Sequence, residues 1–415
     1  MTGRAGRGLA AEVLYRALAV LFYAAPRLLY EIHVVGAARR TFPPGTLIVT
    51  NHKRDLDSVI LPATLYRGQR PTRRPLHFAA REDMFLRGFL ARYDVVPTWL
   101  RRWVLYRMEL AGVLAALRVH PVRRFPERTM EEALREALAL WGDRRLDELL
   151  VEGAYPPGAG ALRISEALAW ERRSWWQGTA SLAAFHPPLR EALAARQRAV
   201  VAQQIEELAG VLQAGGVLYF APEGVISPDG SFQPFRAGLK LLLERVPRAA
   251  VAPVCIVYDF MRPGRLRVFI RLGALLRGAE PPLDAEAVRR SVAILHTMTA
   301  SQLYSAVVFD HLEQGETVIE RRTLVRSAGE LAATLAAAGL PVDPLVLAQP
   351  ERAAEGWVAY VTRRRACATQ NGVLRFDRSI AAIPASLWAN PIRYGANELR
   401  SILAALAADG PPASG

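Results

Sequence analysis

Thr46-Leu-Ile-Val-Thr-Asn-His-Lys-Arg-Asp-Leu-Asp57 sets the frame for the rest of the chain. Its first five residues, apolar or β-branched throughout, read as a strand buried on both faces of an α/β sheet. The polar run behind them then falls beyond the strand's carboxyl end, where open α/β sheets build their sites. His52 and Asp57 stand five positions apart in that run. A neutral imidazole can take a proton from an alcohol near neutral pH. A carboxylate at its other nitrogen fixes the tautomer and stabilises the imidazolium that forms. The same pair in a loop also serves as a helix cap or a surface contact, so it does not by itself choose between chemistry and structure.

A second stretch repeats the arrangement. Leu218-Tyr-Phe-Ala-Pro-Glu-Gly-Val-Ile-Ser-Pro-Asp-Gly-Ser-Phe-Gln-Pro-Phe-Arg-Ala-Gly-Leu-Lys240 again runs from an apolar strand into a Pro/Glu/Gly turn. Between the two, Val119-His-Pro-Val-Arg-Arg124 is an apolar run ending in arginine, and after them Ala249-Ala-Val-Ala-Pro-Val-Cys-Ile-Val257 is an apolar run carrying Pro253. Asn51-His52-x4-Asp57 followed by Phe220-Ala-Pro-Glu-Gly224 resembles the glycerolipid acyltransferase family, whose members acylate glycerol 3-phosphate and 1-acylglycerol 3-phosphate. The 119–124 run is similar to the family's second block, with Arg124 at its arginine, and the 249–257 run to its fourth. The four blocks, in order, cover about residues 45 to 275.

That resemblance implies direct acyl transfer with no cofactor and no covalent acyl-enzyme. His52 would take the proton of an acceptor hydroxyl as it attacks the thioester of acyl-CoA or acyl-carrier protein, with Asp57 orienting the ring. Asn51 or backbone amides would serve the oxyanion, and Glu223 and Gly224 would organise the acceptor site. Arg124 would pair a phosphate, or else be a structural ion-pair residue. The chain departs from the family's Thr-Arg-Ser after Glu-Gly: it has Val225-Ile226-Ser227 and so lacks the arginine expected to meet acceptor phosphate. Arg236 and Lys240 lie close enough in sequence to compensate. If they do not, the acceptor is a lyso-lipid without a phosphate monoester. A catalytically silent lipid-binding protein of the same fold is the further alternative.

Charge and composition narrow the classes. The formal net charge is +14, and Lys53 and Lys240 are the only lysines, so the excess is arginine. Arginine pairs phosphate in a bidentate way, which suits an anionic membrane surface or a phosphorylated substrate. Nucleic acid is not expected as a partner, because the basic residues are scattered and neither zinc-ligand spacing nor an RNA-binding aromatic motif accompanies them. Two cysteines, Cys255 and Cys367, give no disulfide framework or metal site and read as structural.

The fold class expected is α/β: a mixed, mostly parallel sheet flanked by helices, with a membrane-associated helix at the amino end, a helical insertion and a helical carboxy-terminal extension. Residues 1–30 read as an amphipathic helix too short in its uncharged part to span a bilayer, hence a peripheral or monotopic anchor at the cytoplasmic face. Residues 31–278 form the acyltransferase domain, with the insertion at about 125–200, where family members need only a short connection. Residues 279–415 form the extension. Within this layout the patterning predicts helices over 58–66, 82–117, 188–214, 284–311, 317–338, 351–365 and 390–408. Single strands are predicted at 32–35, 77–80 and 372–376. Trp99, Trp103 and Tyr106 lie at near-helical spacing, which suits core or interface packing. Trp170, Trp175 and Trp176 suit a lid, a second membrane contact or an ordinary packed subdomain.

Overall fold

A computed structural model describes residues 2–36, 41–69, 73–92, 97–123, 128–176, 178–277 and 283–407. The chain divides into two compact units, residues 1–76 with 211–415, and residues 77–210. In chain order the first unit begins with helix α1 (Thr2–Leu29), strands β1 (Tyr30–Val35) and β2 (Thr46–Thr50), and helix α2 (Asp57–Gly68). Strand β3 (Leu76–Arg81) leads into the second unit, which continues with α3 (Thr98–Trp103), α4 (Ala111–Ala116), β4 (Val119–Val122), β5 (Arg128–Thr129), α5 (Met130–Trp141), α6 (Leu146–Leu149), α7 (Ile164–Ala167), β6 (Thr179–Ala180) and most of α8 (Pro187–Gln213). Then come β7 (Val217–Phe220), α9 (Ala237–Arg245), β8 (Ala250–Asp259), β9 (Leu266–Leu272), β10 (Leu276–Arg277), α10 (Ala285–Ala293), α11 (Ala300–Glu313), β11 (Val318–Glu320), α12 (Arg321–Ala337), α13 (Pro344–Ala348), α14 (Pro350–Arg363), β12 (Cys367–Gln370), β13 (Val373–Phe376) and α15 (Pro391–Ala407).

The sheet of the first unit has the strand order β1-β9-β8-β2-β7. β1 runs parallel to β9, β2 parallel to both β8 and β7, and only the β8–β9 pair among these is antiparallel. It is therefore a mixed, mostly parallel sheet flanked by helices, as the alternation of apolar runs predicts. Leu47, Ile48 and Val49 of β2 are fully buried, which is why that strand reads as a continuous apolar run rather than an alternating one. Proline inside a central strand normally removes a ladder hydrogen bond. Here β9 pairs β8 from Val254 onward and β10 pairs it only up to Val251, so Pro253 faces the break between them. Gly273 fills that break, donating its N–H to the Pro253 carbonyl at 3.0 Å, and a Cβ there would meet the proline ring at 2.9 Å.

Helix α1 packs one face inward: Tyr15 is buried, meets Tyr66 of α2 edge to face at 5.3 Å, and accepts the Leu76 N–H through its hydroxyl at 2.9 Å. Its opposite face is apolar and open, with Val13, Leu14, Val20, Leu21 and Leu28 exposed. No helix among the described residues is long and apolar enough to cross a membrane.

Three stretches differ from expectation. The described parts of 82–117 hold short turns of helix, α3 and α4 among them, with Gly88 at φ 80° and the extended Pro97 before α3 interrupting any longer run. Trp99 and Trp103 are accordingly exposed rather than packed in a core. The run 284–311 is two helices, since Thr299 and Gln302 form a capping box that starts α11 afresh after α10 has ended. Strand β13 has two neighbours, β11 and β12, in a small antiparallel sheet whose members are too short for their pattern to show in sequence. In the second unit the 125–200 stretch carries its own apolar core. Leu134, Leu146, Ile164, Trp176 and Phe185 are buried there, and the Trp176 indole donates to the Ala167 carbonyl at 2.7 Å.

Candidate active site

At the carboxyl end of β2, Asn51 is fully buried and its side-chain amide clamps the Ile256 backbone. Its Nδ2 donates to the Ile256 carbonyl and its Oδ1 accepts the Ile256 N–H, both at 2.8 Å. That clamp ties the strand end to β8 and engages one of the amide's two N–H donors. His52 follows, its side chain 19% exposed, with Nδ1 at 3.2 Å from Asp57 Oδ2. Among the described residues Nε2 has no protein partner.

Asp57 opens α2 and folds back over the loop. Its Oδ2 also accepts the N–H of Lys53 at 2.5 Å and of Arg54 at 2.8 Å, and its Oδ1 accepts the Tyr258 hydroxyl at 2.5 Å. Four donors on one buried carboxylate leave it no freedom to rotate, so the imidazole it holds is oriented as firmly as the loop itself. Burial, then the Asp57 charge, push the Tyr258 pKa well above the usual phenol range, which makes that hydroxyl a standing donor.

Glu223, beyond the end of β7, is buried. Its Oε1 accepts the His52 N–H at 2.8 Å and its Oε2 the Gln233 N–H at 3.1 Å, so one carboxylate bridges the two loops. Burial pushes its pKa up to about 7 against the pull of Lys53 and of the two N–H donors. Gly224 adopts φ 70°, and a Cβ there would lie 2.9 Å from Arg236 Nε. Because only glycine takes that conformation at no steric cost, the chain turns here and Arg236 Nε can donate to the Glu223 carbonyl at 2.8 Å.

Beneath both loops lies a buried ion pair, Lys53 Nζ to Glu398 Oε1 at 3.2 Å, with Nζ also donating to the Gly230 carbonyl at 3.1 Å. Burial works against the Lys53 charge, but Glu398 and Glu223 more than offset it and hold its pKa above the ordinary lysine value.

The structure thus brings His52, Asp57, Glu223, Gly224 and Arg236 together, with Asn51 alongside in a clamping position. Lys240 stands on the exposed side of α9. Arg124 lies outside the described residues. Cys255 and Cys367 are both free and buried. Lys53, Tyr258, Gln233 and Glu398 are the members that motif reading passes over. A lysine in a chain that otherwise uses arginine was a visible signal for the first. Nothing in the sequence singles out the others: Gln233 acts through its backbone N–H, and Tyr258 and Glu398 reach the loops only through the fold.

No family model matches the chain, and no curated protein matches it. Among solved structures, the 1-acyl-sn-glycerophosphate (LPA) acyltransferase PlsC from Thermotoga maritima is similar over 69% of this chain and 78% of its own, at 15% identity and a TM-score of 0.34. A likeness this remote assigns neither activity nor substrate.

Proposed function

We propose that this protein is an O-acyltransferase that moves a fatty acyl group from an acyl thioester to a hydroxyl of a glycerolipid acceptor. One observation carries the reading: His52 presents a free Nε2 while its Nδ1 is held by a carboxylate that three other donors lock in place. A base oriented this way is suited to activating an alcohol. His52 Nε2 takes the acceptor's hydroxyl proton, and the oxygen attacks the thioester carbonyl carbon. The tetrahedral adduct collapses with loss of the C–S bond, and the thiolate leaves with the proton from the imidazolium. Glu223 shapes the acceptor side of the site through its hold on the His52 and Gln233 N–H groups.

Acceptors of the lysophosphatidic acid or glycerol 3-phosphate kind fit the motif resemblance. A lyso-lipid without a phosphate monoester is the second reading, favoured by Val225-Ile226 and by Arg236 Nε being already engaged with the Glu223 carbonyl. The open apolar face of α1 suits docking in the headgroup layer, which would place the enzyme at a membrane surface without spanning it. The donor, acyl-CoA or acyl-carrier protein, is chosen by experiment. Purified protein given labelled acyl-CoA or acyl-carrier protein and a panel of lyso-acceptors is expected to acylate one acceptor class. His52→Ala should lower that rate by about 10²–10⁴-fold with the thermal melt unchanged. Equal rates for His52→Ala and wild type would remove His52 as the base, and no acylation of any acceptor would leave only a lipid-binding role.

A further inference from the structure

Apart from the His52 loops, the second unit holds a charged recess of its own, a cavity of about 380 Å³ lined by Arg87, Arg102, Arg107 and Arg135. Trp103, Tyr106 and Trp170 complete its wall. Helix α3 and the turn Leu105–Arg107 after it bring four of these residues together within one short segment. Arg102 and Arg107 hold their guanidinium carbons 5.5 and 5.4 Å from the centre of the Trp103 ring, and Tyr106 meets Trp170 edge to face at 5.2 Å. Behind that pair, Arg173 lies 5.5 Å from the Tyr106 ring and 5.8 Å from the Trp170 ring.

The charges here do not balance. Buried Glu131 serves both Arg135, at 2.9 Å, and Arg173, at 3.3 Å, while Glu171 meets Arg102 at 2.8 Å on the exposed side. Arg87 and Arg107 have no carboxylate partner among the described residues. Like charges gathered in a recess repel unless an anion joins them, and a guanidinium resting on an aromatic face is already oriented before any ligand arrives. The recess is large enough for a small ligand, and its aromatic wall offers a surface for the ring or hydrocarbon that carries an anionic group.

We propose that this cavity binds a phosphate monoester, with the phosphate on Arg87 and Arg107 and its carrier against Trp103 and Tyr106. Such a group comes either on a soluble nucleotide or on a lipid headgroup. The site stands independently of the acyl-transfer reading.

The full chain is titrated calorimetrically with adenosine 3′,5′-bisphosphate and with adenosine, and floated with phosphatidylcholine vesicles with and without phosphatidic acid. One phosphate carrier is expected to bind in a salt-sensitive way over and above adenosine or plain phosphatidylcholine, and the arm that responds names the source. Because charge-assisted hydrogen bonds are lost, the R87Q/R107Q variant should bind it at least about tenfold more weakly with an unchanged melt. R87K/R107K should fall between, since it keeps the charge and loses the planar fork. The proposal is overturned if neither carrier binds, or if R87Q/R107Q binds as tightly as wild type.

Discussion

The loop after β2 and the loop after β7 meet at one site but are held in opposite ways. In the first, Asp57 gathers the His52 ring and two backbone N–H groups from within the same seven residues 51–57, and Tyr258 is the carboxylate's one distant donor among the described residues. The second is held by α15. Ser401 Oγ accepts the Phe232 N–H at 2.8 Å, Asn397 donates to the Asp229 carbonyl at 3.2 Å, and Glu398 holds the lysine that reaches the Gly230 carbonyl. The carboxylate that orients His52 is therefore set mainly by its own loop, while the loop proposed to face the acceptor depends on α15 for its shape, with Lys53 as the one tie from α15 to the first loop among the described residues. Substitutions in one loop should alter the proton-transfer step, and substitutions beneath the other should alter acceptor binding.

Asp57→Asn gives the largest expected effect. An amide keeps one acceptor oxygen and turns a donor toward groups that themselves donate, so both the imidazole orientation and the loop are lost. Acyl transfer at saturating donor should fall by about 10²–10⁴-fold through kcat. A loss confined to the acceptor KM would break the division between the two loops.

Glu398→Leu tests the other side. It leaves the Lys53 ammonium buried without its carboxylate, which should cost roughly 3–5 kcal/mol in urea denaturation. Replacing both partners, Lys53→Met with Glu398→Leu, removes the stranded charge and should return stability to within about 1 kcal/mol of wild type. Under the contrast drawn here the double variant raises the acceptor KM and leaves kcat little changed. A fall in kcat as large as that of Asp57→Asn would show that the loops are not independent.

This difference also explains what the sequence could tell. His52, Asp57, Glu223 and Gly224 were legible because each pair lies within a few residues of a strand end, and the strands themselves announce their burial by composition. Glu398 was not, because it is a lone carboxylate on the buried face of α15, beside Gly395 and Ile402, and only the packing of that helix carries it to Lys53. Asn51 was legible as a site residue, but its clamp on Ile256 was not, since that backbone lies on another strand. Lys240 looked equivalent to Arg236 by position, yet α9 turns it outward. The break between α10 and α11 hung on a capping box that an apolar run on both sides conceals.

His296 sharpens how closed the ground under the second loop is. It is fully buried, with Gln302 donating to its Nε2 at 2.8 Å, so the ring proton sits on Nδ1, which faces Cys255 Sγ at 3.9 Å. Burial lowers its pKa to about 4. A depressed imidazole pKa stabilises the fold fully above the unfolded value near 6.5, and that contribution is lost as pH falls toward 4. Between pH 7 and pH 5 the linkage amounts to about 2 kcal/mol. Urea denaturation of His296→Gln at the two pH values should show a pH slope smaller by that amount. An unchanged slope would mean that the imidazole is hydrated.

Tyr258→Phe should have the smallest effect, and it isolates the one distant donor to the Asp57 carboxylate among the described residues. The phenol leaves a ring of the same shape, so packing against Tyr30 at 6.5 Å and beneath the Arg54 guanidinium at 5.0 Å is kept. What goes is one charge-assisted hydrogen bond to Asp57 Oδ1, at about 1.5 kcal/mol. The Lys53 and Arg54 N–H groups still hold Oδ2, the oxygen that faces His52. Acyl transfer should therefore drop by no more than about tenfold, a loss of the size one such bond can supply. A fall matching that of Asp57→Asn would mean that the distant tyrosine, rather than the loop's own backbone, sets the carboxylate.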